Sequence, residues 1–280
     1  MATHRFRILN VFTDGSSPLS GNPLCVFEDG SAFDTAAMQA LARQFNLSET
    51  TFVLPSASAA ARVRIFTPSY EMPFAGHPTL GTAQVCRALG LGGDSLRLEM
   101  TAGLIEVRAA ANRWTLTAPP VRSREFPGDP GELAHALGLE PADLGGRPLL
   151  VAAGKEQLIV PLTSEAAVRR ARPRPGSPAL TSADGDAMAY VFARTAPGRA
   201  LARFFFSQGP AMLEDPATGS ATANLGGWHL AMGEPLPVRL TISQGEQVER
   251  PSRLHLEVDA GGEIRVGGEV VEIAQGTLEW

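Results

Sequence analysis

The chain has 280 residues, 44% of them hydrophobic and 19% charged, a balance that suits a folded globular protein of one large or two smaller domains. A net charge of −5 argues against a nucleic-acid surface, and no apolar run approaches the roughly 20 residues of a membrane span. The start MATHRFRILNVF lacks the apolar core of a signal peptide, so a cytoplasmic address is expected, and two cysteines, Cys25 and Cys86, are too few for a disulfide framework or a zinc cluster.

HRFRILNVFTD and NPLCVFEDG read as strands separated by the turn-rich GSSPLSG. Residues 34–45, DTAAMQALARQF, show helical spacing behind an aspartate suited to cap a helix. TTFVLP and RVRIFTP follow as paired strands. A helix begins near His77, runs through PTLGTAQVCRALG and stops at Gly90; it is apolar nearly all round, which predicts burial. SLRLEM, IEVRAA and RWTLTAP are the strands that close the first half.

The second half repeats this order. LLVAA and QLIVPL open it, MAYVFA and ARFFFSQ form a strand pair, and GPAMLEDPATGS leads into the helix ATANLGGWHLAMG. VRLTISQG answers LRLEMTAG at an offset of 142, Gly219 answers Gly76 at 143, and AYVF answers TFVL at 138. A single long period implies two pseudo-equivalent α/β domains, assigned to residues 1–118 and 119–280. The Pro/Gly/Arg-rich stretch 118–132 is expected to be the connection between them, and 169–187 a surface loop within the second.

Each repeat carries a strand, a loop with proline and a Gly-plus-polar pair at a helix start: PFAGHP with Gly76 and His77, and PATGSA with Gly219 and Ser220. Unpaired amides at such a start, aided by the helix dipole, favour a carboxylate or phosphate. Glu49 stands at the mouth of an apolar strand, and Asp215 lies beside Pro216. With His77 these form the usual proton-transfer set, although each residue also fits a purely structural role as a solvated strand end, a helix cap or a turn cap. Lys155 is the only lysine, hence the one candidate for a Schiff base, and its setting in AAGKEQLIV reads as an exposed turn. His229, near the end of its helix, reads as packed or capping. Metal ligation and a nucleotide cofactor lack motifs of the right spacing, so neither is expected.

The blocks VFTDGSSPLSGNPLCVF, NLSETTFVLP, RIFTPSYEMPFAGHPTLGTA, EDPATGSATANL and ISQGEQVERPSRL resemble, in order and over almost the whole chain, those of the PhzF-like phenazine-biosynthesis isomerase family. That resemblance implies an α+β, diaminopimelate-epimerase-like fold. It consists of two pseudo-symmetric domains, each a curved, mostly antiparallel sheet around a central helix, with the last strand a candidate to return to the first domain and the active site in the cleft. It implies Glu49 as the proton carrier, His77 and Asp215 as its catalytic partners, and Gly76, Gly219 and Ser220 as substrate-binding residues. It further implies a small carboxylate substrate, no cofactor and a homodimer. The related epimerases carry a cysteine at each helix start, and Cys25 and Cys86 stand at neither, which disfavours a two-thiol racemase. The readings left open are isomerisation, epimerisation of another small acid, and a non-catalytic metabolite-binding or interaction module.

Overall fold

The computed structural model describes residues 1–180 and 185–280, which divide into two compact units: Met1–Thr117 with Gly267–Trp280, and Ala118–Val266. The first unit runs β1 (Thr3–Thr13), β2 (Asn22–Phe27), α1 (Thr35–Phe45), β3 (Glu49–Leu54), β4 (Ala61–Phe66) and β5 (Glu71–Met72). It continues with α2 (Gly76–Ala88), β6 (Ser95–Met100), β7 (Gly103–Ala110) and β8 (Arg113–Thr117). The second unit runs β9 (Arg122–Glu125), α3 (Pro130–Ala136), β10 (Leu149–Ala153), β11 (Lys155–Pro161), α4 (Glu165–Arg170) and β12 (Met188–Ala196). Then come β13 (Arg199–Gln208), β14 (Ala211–Asp215), α5 (Gly219–Ala231), β15 (Val238–Gln244) and β16 (Ser252–Val258). Strand β17 (Ile264–Glu279) pairs antiparallel with β1 from Glu269 onward.

The two units share one wiring. In the first, β2 lies parallel to β3, β3 antiparallel to β4, and β4 antiparallel to β5 and parallel to β6, which turns back as β7. In the second, β11, β12, β13, β14, β15 and β16 repeat those relations in the same order and sense. Each sheet encloses its own central helix. Strands β1, β2, β3, β4, β6 and β8 contact α2, and ten of its residues are buried, from Gly76 to Cys86. Strands β9, β10, β11 and β16 contact α5, which is buried from Gly219 to His229 with the exception of Ser220. A helix surrounded by sheet has little wet face to paint polar, which is why both sequences are apolar or small nearly all round, α2 keeping Gln84 and Arg87 at its less buried edge. Both helices end alike: Gly90 (φ 73°) and Gly233 (φ 68°) take the left-handed position, and Leu91 and Glu234 donate back to the Cys86 and His229 carbonyls.

The ladders fix the correspondence between strands more finely than sequence likeness does. Phe66 pairs with Glu71 as Phe205 pairs with Glu214, and Thr50 pairs with Phe66 as Ala189 pairs with Phe205. The offset there is therefore 139 rather than 138 (Phe66 to Phe205), and a slip of one residue exchanges the two faces of a strand. For β6 and β15 it is 144 (Leu98 to Ile242) rather than 142, which keeps the same face.

Two local expectations are corrected. Residues 118–132 are more than a connection: Arg122–Glu125 pairs with β10, and Pro130 begins α3 behind its Asp129 cap. All four β9 residues are exposed, so no apolar alternation announces the strand. Lys155 is the first residue of β11 opposite Ala153, with the turn made at Gly154 (φ 106°) and the ammonium 3.0 Å from Asp186. Within the stretch expected as a loop over 169–187, residues 181–184 lie outside the described residues.

Candidate active site

Glu49 is the first residue of β3, held there because Thr50, Thr51, Phe52 and Val53 bury behind it. In the neighbouring β2, Leu24 pairs with Glu49, which also brings Pro23 alongside. His77 is the second residue of α2. Its Nε2 lies 3.1 Å from Oε2 of Glu49, with the imidazole 7% and the carboxylate 15% exposed. Burial pushes the imidazole pKa down to about 3, against the opposing pull of a hydrogen bond to the Pro23 carbonyl, so the ring is neutral at ordinary pH. Nε2 makes no aligned hydrogen bond, which leaves Nδ1 as the nitrogen that donates to Pro23. A neutral ring has one N–H. With that proton at Nδ1, Nε2 presents a lone pair to Glu49 and can accept a hydrogen bond from the carboxyl when it carries a proton.

Asp215 is the last residue of β14. The Thr218 hydroxyl donates to its carboxylate, and the Gln244 amide donates both to the Asp215 carbonyl and to the Thr218 hydroxyl oxygen. Beside it, Glu214 forms a two-pronged ion pair with Arg203, whose guanidinium is 6% exposed and also donates to the carbonyls of Val168, Arg169 and Ala171. The strand carrying Asp215 is thereby tied to the end of α4.

The helices divide by how they begin. At the periphery, Asp34 caps α1, Asp129 caps α3 and Ser164 caps α4, each through an amide of the first turn. The central pair has no such cap. Ala75 precedes α2 and has nothing to offer, while Thr218 precedes α5 and turns its hydroxyl to Asp215 instead. In α2 the first turn offers the amides of Gly76 and His77, since Pro78 has none and Thr79 bonds back to Ala75. In α5 it offers those of Gly219, Ser220 and Ala221, with Thr222 bonded to Thr218. Amides left this way, at the positive end of a buried helix, are anion ligands in waiting.

The structure thus brings Glu49, His77 and the Gly76 amide together in the first unit, and Asp215, Gly219 and Ser220 together in the second. Sequence reading passed over Thr218, Gln244 and Arg203, which act only through Asp215 and Glu214 and carry no motif of their own. Both cysteines are fully buried and away from the helix starts, where burial raises the Cys86 thiol to about 12 and the Cys25 thiol further. His229 is buried in the last turn of α5 with Nδ1 3.0 Å from Glu234. Among the described residues no three His, Cys, Asp or Glu side chains are grouped to hold a metal, and no helix is long and apolar enough to cross a membrane.

Comparison with known proteins gives a consistent set of likenesses. The family described as "Phenazine biosynthesis-like protein" (PhzC-PhzF) matches residues 9–276. A trans-2,3-dihydro-3-hydroxyanthranilate isomerase of Pseudomonas aeruginosa is 35% identical, over 98% of this chain and 98% of its own. Among solved structures, a PhzF-family phenazine biosynthesis protein of Bacillus anthracis superposes with a TM-score of 0.87 at 26% identity, covering 100% of both chains. A hydroxyproline epimerase of Agrobacterium vitis, 13% identical, shares the fold with a TM-score of 0.65 over 99% of this chain and 92% of its own.

Proposed function

The chain belongs to the phenazine biosynthesis-like (PhzF) family and is an isomerase of that type, and from this premise we propose that it moves a proton within a small carboxylic acid, with Glu49 as the carrier. The observation that supports this most is the approach of Glu49 Oε2 to the lone-pair nitrogen of a neutral, buried His77. Glu49 takes a proton from a carbon acidified by conjugation, and the electron pair spreads into the ligand's π system. The same carboxyl then returns the proton to another carbon on the same face. No atom is gained or lost, and no cofactor is required.

His77 stays neutral and steadies the protonated carboxyl by accepting its hydrogen bond at Nε2. Charge that develops on an oxygen of the ligand is met by the amides of an uncapped helix start, which need no rearrangement to receive it. Asp215, Gly219 and Ser220 are assigned to holding the substrate. The P. aeruginosa relative, named for trans-2,3-dihydro-3-hydroxyanthranilate, makes that dihydro acid the first compound to try.

The test is proton exchange. Incubated with that acid in D2O, the wild-type protein incorporates deuterium at carbon and forms the double-bond isomer, and Glu49→Gln does neither. Unchanged exchange in Glu49→Gln overturns the carrier; inversion of a stereocentre without a double-bond shift replaces isomerisation with epimerisation.

A further inference from the structure

Behind Ser220 runs a chain of buried amides whose direction is set at its far end. Asn224, fully buried in α5, accepts at Oδ1 from the Ala153 N–H (2.6 Å). A backbone N–H can only donate, so the oxygen of Asn224 must face it, and the amide nitrogen faces the other way. That nitrogen donates to the Lys155 carbonyl (3.1 Å) and to Oε1 of Gln157 (2.8 Å), which uses both of its hydrogens. Gln157, 3% exposed on β11, is therefore obliged to present its own nitrogen to Ser220 Oγ (3.0 Å). Ser220 receives that bond as an acceptor, and among the described residues this is the one hydrogen bond its side chain makes. Reversing Gln157 would set its donor against the Asn224 donor, and reversing Asn224 would set donor against donor at Ala153 and acceptor against acceptor at Gln157 and Lys155, at a cost of about 1–3 kcal/mol for each buried group left unpaired.

We propose that Asn224 and Gln157 are positioning residues that fix the Ser220 hydroxyl as a standing donor, so that this helix start takes an acceptor group, a carboxylate or enolate oxygen of a small acid. Among the described residues the hydroxyl proton has no partner, and the half-buried position of Ser220 turns it outward beside the first-turn amides of Gly219, Ser220 and Ala221. The proposal rests on the reading of Ser220 as a substrate-binding residue and gives that residue a polarity. It also separates the two units. The sixth residue of α5 is Asn224, whereas the sixth of α2 is Gly81, where an added Cβ would stand 2.5 Å from Leu24 and 3.0 Å from Val11. The first unit has no room for such a chain on its helix.

The experiment is a double-mutant cycle read by calorimetric binding of acetate, benzoate and 3-hydroxyanthranilate to the full chain. Asn224→Asp keeps the bond from Ala153 but cannot donate to Gln157, so Gln157 turns its oxygen to Ser220 and the hydroxyl points inward. Affinity for the acid that wild type binds best is expected to fall about 10- to 100-fold, the worth of one hydrogen bond to a charged group. In a Ser220→Ala background the same substitution is expected to change affinity less than about 2-fold. Gln157→Glu, which sets a carboxylate directly against Ser220, gives the same pattern if Asn224→Asp does not fold. An equal loss with and without the hydroxyl overturns the proposal, as does a wild-type protein that binds none of the three acids. If an acid binds and the cycle holds while the dihydro acid is not turned over, the donor assignment stands and the reaction assignment falls.

Discussion

Asp215 and Met72 occupy the same place in two copies of one strand pair: Asp215 lies opposite Phe204 as Met72 lies opposite Ile65. The neighbouring Glu214 and Glu71 are true counterparts, each gripping an arginine of the adjacent strand, Arg203 or Arg64, by both carboxylate oxygens. By the same register Glu49 corresponds to Met188. Each unit therefore carries one carboxylate where the other has a thioether, so two units of like wiring differ in chemistry. Converting Asp215 to Asn retains an acceptor for Thr218 and removes only the charge. Turnover is expected to fall at least about 10-fold while the melting temperature moves by no more than a few degrees, checked by steady-state kinetics beside thermal unfolding.

The two arginine pairs differ in burial, and their removal should differ in cost. Arg203 and Glu214 are 6% and 9% exposed, against 16% and 30% for Arg64 and Glu71. Arg203→Ala strands a buried carboxylate and is expected to destabilise by about 3–5 kcal/mol, and Arg64→Ala by about 1 kcal/mol. Urea denaturation of both, with Arg203→Met/Glu214→Leu recovering most of the larger loss, checks the reasoning.

His77 predicts an acid limb. Its folded pKa lies near 3, below the ordinary 6.5, so between those values the unfolded chain binds a proton that the native state refuses. Stability is then full above about pH 7 and falls as the pH drops toward 3, by up to about 1.4 kcal/mol per unit from this group. Unfolding free energies at pH 7, 6 and 5 should converge toward a flatter profile in His77→Gln; an equal slope in both proteins would assign the acid limb elsewhere.

Gly227 tests the packing of the second central helix. A Cβ there would come within 2.4 Å of Val121 and 2.8 Å of Val151, both through stiff β-branched methyl groups. Alanine normally gains about 1 kcal/mol over glycine inside a helix, yet the crowding costs about 1–3 kcal/mol, so Gly227→Ala is expected to be neutral to destabilising by about 2 kcal/mol in urea.

Because both thiols are buried and poorly ionised, neither supports acid–base chemistry. Cys25→Ala/Cys86→Ala is expected to keep turnover within about 3-fold, and a thiol reagent should label the native protein far more slowly than the urea-unfolded chain. Loss of turnover in a folded double variant would return a thiol mechanism to consideration.

The repeat and the set Glu49, His77, Asp215, Gly76, Gly219 and Ser220 are legible in the sequence because each sits in a local signal: a strand start, a Gly-plus-polar helix start, a proline turn. The partners that give them their properties are not. Pro23 reaches His77 from β2, Gln157 reaches Ser220 from β11 and Gln244 reaches the Asp215 loop from β15, all across strand pairings that no local pattern encodes. The offset between Glu49 and its counterpart was equally hidden. TFVL and AYVF match best by residue type at 138, and only ladder pairing shows that tertiary register places them at 139.

A peripheral helix such as α4 carries its cap, Ser164, wherever it goes, but α2 and α5 begin on bare amides. An acid that docks on those amides becomes a borrowed residue of the fold, exchanged at each turnover. Heat resistance then becomes a register of occupancy: a library of small acids can be sorted by how far each raises the melting temperature, before any reaction has been observed.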